Sequence, residues 1–211
     1  MISVIPFIYE DTDELYANTY LLIDENKSCV VIDPSKDYPG LVNYIVKNNL
    51  SLKAILLTHG HVDHMRGVDR LVNTFHASLY IGFDDEDKLT DRFANCSMYL
   101  GESFTVSSKA ITLADSETLH FLSEDIHVIH TPYHTAGSLC FYLKESQLIF
   151  TGDFLFVHGV GRADLPSAMP HKFSYSLDKL RKINGNPKLY PGHGKSGKLS
   201  EELDWASENN C

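Results

Sequence analysis

Between Thr58 and His64 the chain reads Thr-His-Gly-His-Val-Asp-His, three imidazoles and one carboxylate within seven residues. All four side chains are ligands that borderline divalent ions accept. The flanks of the run decide how those side chains are aimed. Ala54 to Leu57 is a short apolar stretch without a polar break, and it reads as a buried strand ending at Thr58. In extended backbone, residues i and i+2 point the same way, so His59 and His61 can reach one ion. Asp63 and His64 open an amphipathic segment with Val68, Leu71, Val72 and Phe75 at helical spacing. Those two side chains point elsewhere than the first pair and suit a second ion.

The same setting recurs along the chain. Thr131 to Ser138, containing His134, follows the apolar Val128 and Ile129. Leu148 to Asp153 reads as a strand that ends on a carboxylate, and Lys188 to Gly194 as one that ends on the imidazole of His193. Each places a ligand type at a strand end beside glycine or proline, in a loop that lets backbone approach a site. Four such settings argue against a polar loop with unrelated histidines.

With these residues in order, the sequence resembles the metallo-β-lactamase superfamily, and within it the glyoxalase II-like hydrolases. The matched residues are His59, His61, Asp63, His64, His134, Asp153 and His193, and the resemblance runs from about Val4 to about Gly194. The stretch Gly159 to Pro166 is similar to the GRxDxP segment of short glyoxalase II-like members. The resemblance implies an α+β fold, a four-layer αββα sandwich forming one domain over residues 1–211. It implies two neighbouring divalent ions, zinc first, with iron or manganese also suited to these ligands. His59, His61 and His134 would hold one ion, Asp63, His64 and His193 the other, and Asp153 would bridge them. Asp63 is taken as the catalytic carboxylate as well as a ligand. Two such ions lower the pKa of a shared water, and the hydroxide attacks a carbonyl.

The rest of the chain is compatible with that expectation. At 211 residues it is long enough for one α/β domain, and its 43% apolar and 22% charged content is that of a globular protein. A formal charge of −10 argues against an extended nucleic-acid surface. No stretch is long and apolar enough to span a bilayer. Met1 to Glu10 lacks the basic start of a secretory signal. The cysteines, Cys29, Cys96, Cys140 and Cys211, are scattered without a CxxC pair, which points to a reduced, cytoplasmic protein. Cys29 and Cys140 read as core residues, Cys96 and Cys211 as more exposed.

Periodicity predicts strands at Ser3–Ile8, Thr19–Ile23, Cys29–Ile32, Ser78–Ile81, Phe104–Val106, Ala110–Ala114, Thr118–Leu122 and His127–His130. Leu139–Leu143 and Gln147–Thr151 read as a hairpin. Helices are expected at Tyr38–Asn48, Lys172–Ile183 and Leu199–Ala206. The acidic segment Asp84–Asp91 reads as a solvated loop or short helix without function. His76, His120, His127, His130 and His171 lack motif context and read as surface or hydrogen-bonded histidines. His158 is a lesser candidate for the pocket wall. Tyr133 reads equally as pocket former or packed aromatic.

Arg162 matches the basic residue after Gly-x-Gly in glyoxalase II relatives and is the candidate substrate contact, against an ion pair with Asp164 as the plainer alternative. The resemblance also has departures. About 17 residues follow Gly194, so the helical domain that supplies much of the glutathione pocket is not expected. Asp164 stands where a glutathione-holding tyrosine is usual, Arg66 where glycine is usual, and Phe154 where threonine is usual. The expected activity is hydrolysis of a small thioester, with a small molecule as partner and no nucleic acid or membrane. The alternatives are a mononuclear iron persulfide dioxygenase, a hydrolase of another ester, lactone, β-lactam or phosphodiester, and a non-catalytic metal-binding role.

Overall fold

A computed structural model describes residues 1–9 and 15–209; Cys211 lies outside them. The first half of the chain builds one six-stranded sheet. Its strands are β1 (Ser3–Phe7), β2 (Thr19–Ile23), β3 (Ser28–Ile32), β4 (Ser51–Leu56), β5 (Ser78–Gly82) and β6 (Ala110–Leu113), side by side in that order. β1, β2 and β3 pair antiparallel, and β3 to β6 run parallel. The parallel crossovers carry helices α1 (Pro39–Lys47), α2 (Val62–Met65) and α3 (Val68–Phe75).

The second half builds a second six-stranded sheet from β7 (Thr118–Leu119), β8 (Ile126–His130), β9 (Leu139–Leu143) and β10 (Leu148–Gly152), joined by β13 (Lys188–Pro191) and β14 (Gly197–Lys198). Its order is β14-β13-β10-β9-β8-β7, and only β10 and β13 are parallel. A short ribbon, β11 (Leu155–Phe156) with β12 (Gly159–Val160), follows β10. Helices α4 (Phe173–Leu180) and α5 (Leu199–Glu208) cover this half.

Strand alternation explains the four layers. Successive side chains of a strand point to opposite faces, and here both faces are buried. Leu21, Val31 and Ile55 pack under α1 and α3 with Leu41, Ile45 and Leu71. Their neighbours Leu22, Val30, Ile32, Ala54 and Leu56 turn inward and meet Val128, Phe141 and Phe150 of the second sheet. On that sheet Cys140, Ile149 and Leu189 face outward against Leu177, Leu180 and Leu203. The result is the expected α+β sandwich of helix, sheet, sheet and helix. The expected hairpin is present as β9 and β10, with Leu143 opposite Leu148.

Three expectations are corrected. Phe104–Val106 is not a strand: the Val106 N–H donates to the Leu89 carbonyl and the Phe104 N–H to Ser97 Oγ, so these groups serve turns rather than a ladder. Asp84–Asp91 is the short helix of the two alternatives, but it is not merely solvated. It lies largely in a 3₁₀ helix, Phe83–Leu89, whose Asp85 and Lys88 are fully buried. Cys96 is buried rather than exposed.

Candidate metal centre

The fold delivers the motif residues to one end of the sandwich. His59 and His61 follow the end of β4, and Asp63 and His64 lie on α2. His134 sits between β8 and β9, Asp153 follows β10, and His193 follows β13. β10 and β13 are parallel neighbours with Gly152 opposite Pro191, so both put their next residues at the same edge. Asp153 and His193 approach because Gly192 has no side chain; a Cβ there would strike Asp153 Oδ1 and lie 2.8 Å from His64 Cε1. A backbone hydrogen bond from Leu139 N–H to the Thr58 carbonyl, 2.8 Å, closes the two sheets together at this end.

Three side-chain groups gather there: His59, His61 and His134; His59, His64 and Asp153; and Asp63, His64 and His193. Within each, the ligand atoms lie within 4.8 Å of one another. His61 Nδ1 faces His59 Nε2 at 3.0 Å and His134 Nε2 at 2.9 Å. Asp153 Oδ2 lies 3.6 Å from His134 Nε2 and 3.5 Å from His193 Nε2, while its Oδ1 is 3.3 Å from His64 Nε2. His193 Nε2 is 3.1 Å from Asp63 Oδ2. All seven residues named from sequence therefore come together, with Asp153 between the two groups.

The outer hydrogen bonds decide which nitrogens are bare. His134 Nδ1 is 2.6 Å from the Arg162 carbonyl, which can only accept, so the proton sits on Nδ1 and the Nε2 lone pair faces inward. Asp33 fixes the other side. Its carboxylate accepts from Thr58 N–H (2.8 Å), Thr58 Oγ1–H (2.7 Å) and His64 Nδ1–H (2.9 Å). With its proton given to Asp33, Thr58 Oγ1 accepts from His59 Nδ1–H at 3.2 Å. In their neutral forms His59, His64 and His134 thus each present a bare Nε2 inward, the outer-partner arrangement of ligating histidines. His64 Nε2 and Asp153 Oδ1 are buried without a hydrogen-bond partner, as is His61 Nε2. Imidazole nitrogens and carboxylate oxygens crowded together in the interior fit divalent cations, which would displace the protons that His64 and His193 otherwise hold.

The protonation tendencies split the cluster. Burial lowers His59 well below the ordinary imidazole range, reinforced by the His64, His61 and His134 rings. Burial, then His134, lowers His61 to about 3. For His64 burial acts the same way, but the carboxylates of Asp153, Asp33 and Asp63 outweigh it and raise it. His193 is raised too, with Asp153 and Asp63 outweighing burial. Against their own burial, Asp63 and Asp153 are held ionised below the usual carboxylate range, chiefly by His64 and also by His193.

A further frame was hidden from sequence. Asp85 accepts from Gly60 N–H (2.9 Å), Gly137 N–H (2.9 Å) and Thr135 Oγ1–H (2.7 Å), and pairs with Lys88 Nζ at 2.8 Å. It ties the loop of His59 and His61 to that of His134. Asn18 holds the His193 loop, donating to the carbonyls of Pro191 (3.1 Å) and Gly194 (2.9 Å). Among three neighbouring acids, nothing in the sequence marks Asp85; only the i,i+3 pair with Lys88 hints at it. Asp33 carried a clearer signal: a carboxylate ending an apolar strand whose parallel neighbour leads into the histidines.

In front of the cluster lies a cleft of about 340 Å³, lined in part by His61, Asp63, His134, Asp153, His193 and Arg162. Arg162 lines the cleft and also makes the ion pair with Asp164, at 2.6 and 2.8 Å. Tyr133 is a packed aromatic, buried against Phe154 and Phe173. His158 is not among the lining residues; its ring lies beside Trp205. His130 donates to the Ala136 carbonyl at 2.7 Å, and His120 pairs with Asp125. Cys96 also lines the cleft, but burial pushes its thiol up to about 11.

Residues 12–193 match the family described as the metallo-beta-lactamase superfamily. The chain belongs to that superfamily. Among superfamily relatives, hydroxyacylglutathione hydrolase GloC of Haemophilus influenzae is 29% identical over 196 residues, covering 88% of this chain and 89% of GloC. The crystal structure of BLEG-1 B3 metallo-beta-lactamase superposes with a TM-score of 0.86 at 30% identity, covering 97% of each chain. TTHA1623 in a di-iron-bound form gives 0.81 at 30% identity, covering 94% of this chain and 96% of the other. Superfamily membership and the ligand-type clusters make this a metal-binding member of the fold.

Proposed function

We propose that the protein is a metal-dependent hydrolase of small thioesters, similar to glyoxalase II. One observation carries the reading: inward-facing imidazole nitrogens and two ionised carboxylates lie at the floor of a cleft open to a small molecule. His59, His61 and His134 would hold one divalent ion and Asp63, His64 and His193 the other, with Asp153 between them. When bound, such ions acidify a water and polarise a carbonyl. The protein's own part is to position and to manage protons. Asp33 and the Arg162 carbonyl keep His64 and His134 in the tautomers that leave Nε2 bare. Asp63, ionised, accepts from His193 Nε2–H at Oδ2, and is our candidate for the catalytic carboxylate. Arg162 contacts the substrate from the cleft wall.

Thioesters suit the site because a thiol of ordinary pKa, about 8.5, leaves as the thiolate without needing a proton. The likeness to GloC supports this class, and the likeness to BLEG-1 makes a β-lactam the second reading. Zinc is the first choice of ion, with iron and manganese compatible with the same donors. The unpaired Cys29, Cys96 and Cys140 support a cytoplasmic place.

Elemental analysis beside hydrolysis of S-lactoylglutathione and a chromogenic cephalosporin tests the reading. Up to two ions per chain and thioester turnover are expected, with both metal and activity lost in Asp153→Ala and both kept in His127→Ala. A single iron with oxygen uptake on a thiol persulfide, and no thioester turnover, would overturn it.

A further inference from the structure

The cleft walls hold chemistry that metal binding does not use. Leu15 forms part of the lining, and Tyr99 and Leu100 contribute from the 3₁₀ turn Ser97–Leu100. Phe156 and Leu165 extend this apolar surface beside the histidine and carboxylate floor. Leu15, Tyr99 and Leu100 are 52%, 57% and 44% exposed, large side chains held open to water beside the site. Arg66 fixes these walls. Its guanidinium donates to the Leu15 carbonyl at 2.9 Å and makes two bonds to Glu102, at 3.1 and 2.5 Å. The Glu102 N–H in turn donates to the Ser97 carbonyl at 2.9 Å. Arg66 also lies over the Tyr16 ring, 5.0 Å from its centre. Both apolar stretches are thereby pinned through one side chain.

Apart from the ion-binding floor, the charge of the wall points the same way. Among the described lining residues Arg162 is the one lysine or arginine, and the Asp164 carboxylate already matches it through two hydrogen bonds. An anionic substrate group would have to compete with Asp164 for it.

We propose that the cleft is a subsite for an uncharged, apolar acyl group, aliphatic or aromatic, on the ester whose carbonyl reaches the floor. This deepens the thioesterase reading and rests on it. The acyl group, rather than an acidic thiol such as glutathione, then sets specificity. Apolar pockets discriminate about tenfold or more per methylene.

The test uses hexanoyl and lactoyl thioesters, each on neutral N-acetylcysteamine and on glutathione, with the metal-loaded protein. The hexanoyl ester should exceed the lactoyl ester in kcat/KM by about tenfold or more on either thiol. Leu100→Asp and Tyr99→Ser alter partly exposed side chains and spare the core. Each should lower the hexanoyl-to-lactoyl ratio about tenfold. Calorimetric binding of the non-hydrolysable S-hexyl thioether of N-acetylcysteamine separates the two claims. Thioether binding without hydrolysis of any ester would keep the subsite and remove the thioesterase reading. Hydrolysis with no acyl preference, or a ratio unmoved in both variants, would keep the reading and overturn the subsite.

Discussion

At the residue scale, the buried pair of Asp85 and Lys88 shows how much of a site lies behind its ligands. The Asp85 carboxylate receives three hydrogen bonds from two ligand-bearing loops and one ion pair, all in the interior. Breaking a buried pair from one side leaves an uncompensated charge and costs about 3–5 kcal/mol. Asp85→Ala should therefore destabilise the protein by about that much in urea unfolding. Lys88→Met should cost less, because Asp85 keeps its three other donors. The reverse order would mean that Asp85 does not frame the loops. The ligand types themselves were legible because chemistry demands rare residues at strand ends. Their supports were not. Asp85 becomes recognisable only when loops distant in sequence bring its donors together, and the strand-end position of Asp33 gains meaning only from the parallel pairing of β3 with β4. Arg162 shows the opposite limit, since its ion pair with Asp164 and its place in the cleft wall are both present.

At the element scale, strands with one residue turned to each core were readable from apolar runs, and their boundaries moved by only a residue or two in most cases. Phe104–Val106 misled because its apolar side chains do pack into the first core, while its backbone bonds to turns instead of a neighbouring strand. The β11–β12 ribbon and β14 escaped notice because two-residue strands have no period to read. The strand-to-loop junctions carry the tightest constraint. Gly152 has φ +49°, in the left-handed region that favours glycine, and abuts Thr58. Gly192 lies against Asp153 and His64. Gly192→Ala should thus displace Asp153 while leaving β10 and β13 paired. The expected result is lowered metal content with little change in the far-ultraviolet circular dichroism. Full metal content in the alanine variant would show that the loop gives way without disturbing the site.

At the scale of the whole molecule, the two sheets contribute unequally to one cluster. His59, His61, Asp63 and His64 come from the first half and His134, Asp153 and His193 from the second, so ions bound there join the halves. An ion at a hundredfold excess over its Kd stabilises by about 2.7 kcal/mol. For a chain of this size, its removal by a chelator should lower Tm by about 5–10 °C. The two groups of ligands should release their ions at different pH. His59 and His61 are lowered by burial, so no proton competes for them near neutrality. His64 and His193 are raised by the surrounding carboxylates, so in the ion-free protein they hold protons that an ion must displace. Affinity at Asp63, His64 and His193 should accordingly fall steadily as pH is lowered through neutrality, while His59 and His61 meet no such competition. Competition with a chromophoric chelator across that range would show one pH-sensitive and one pH-insensitive ion. Loss of both ions with the same pH dependence would refute the division of the cluster into two unequal halves.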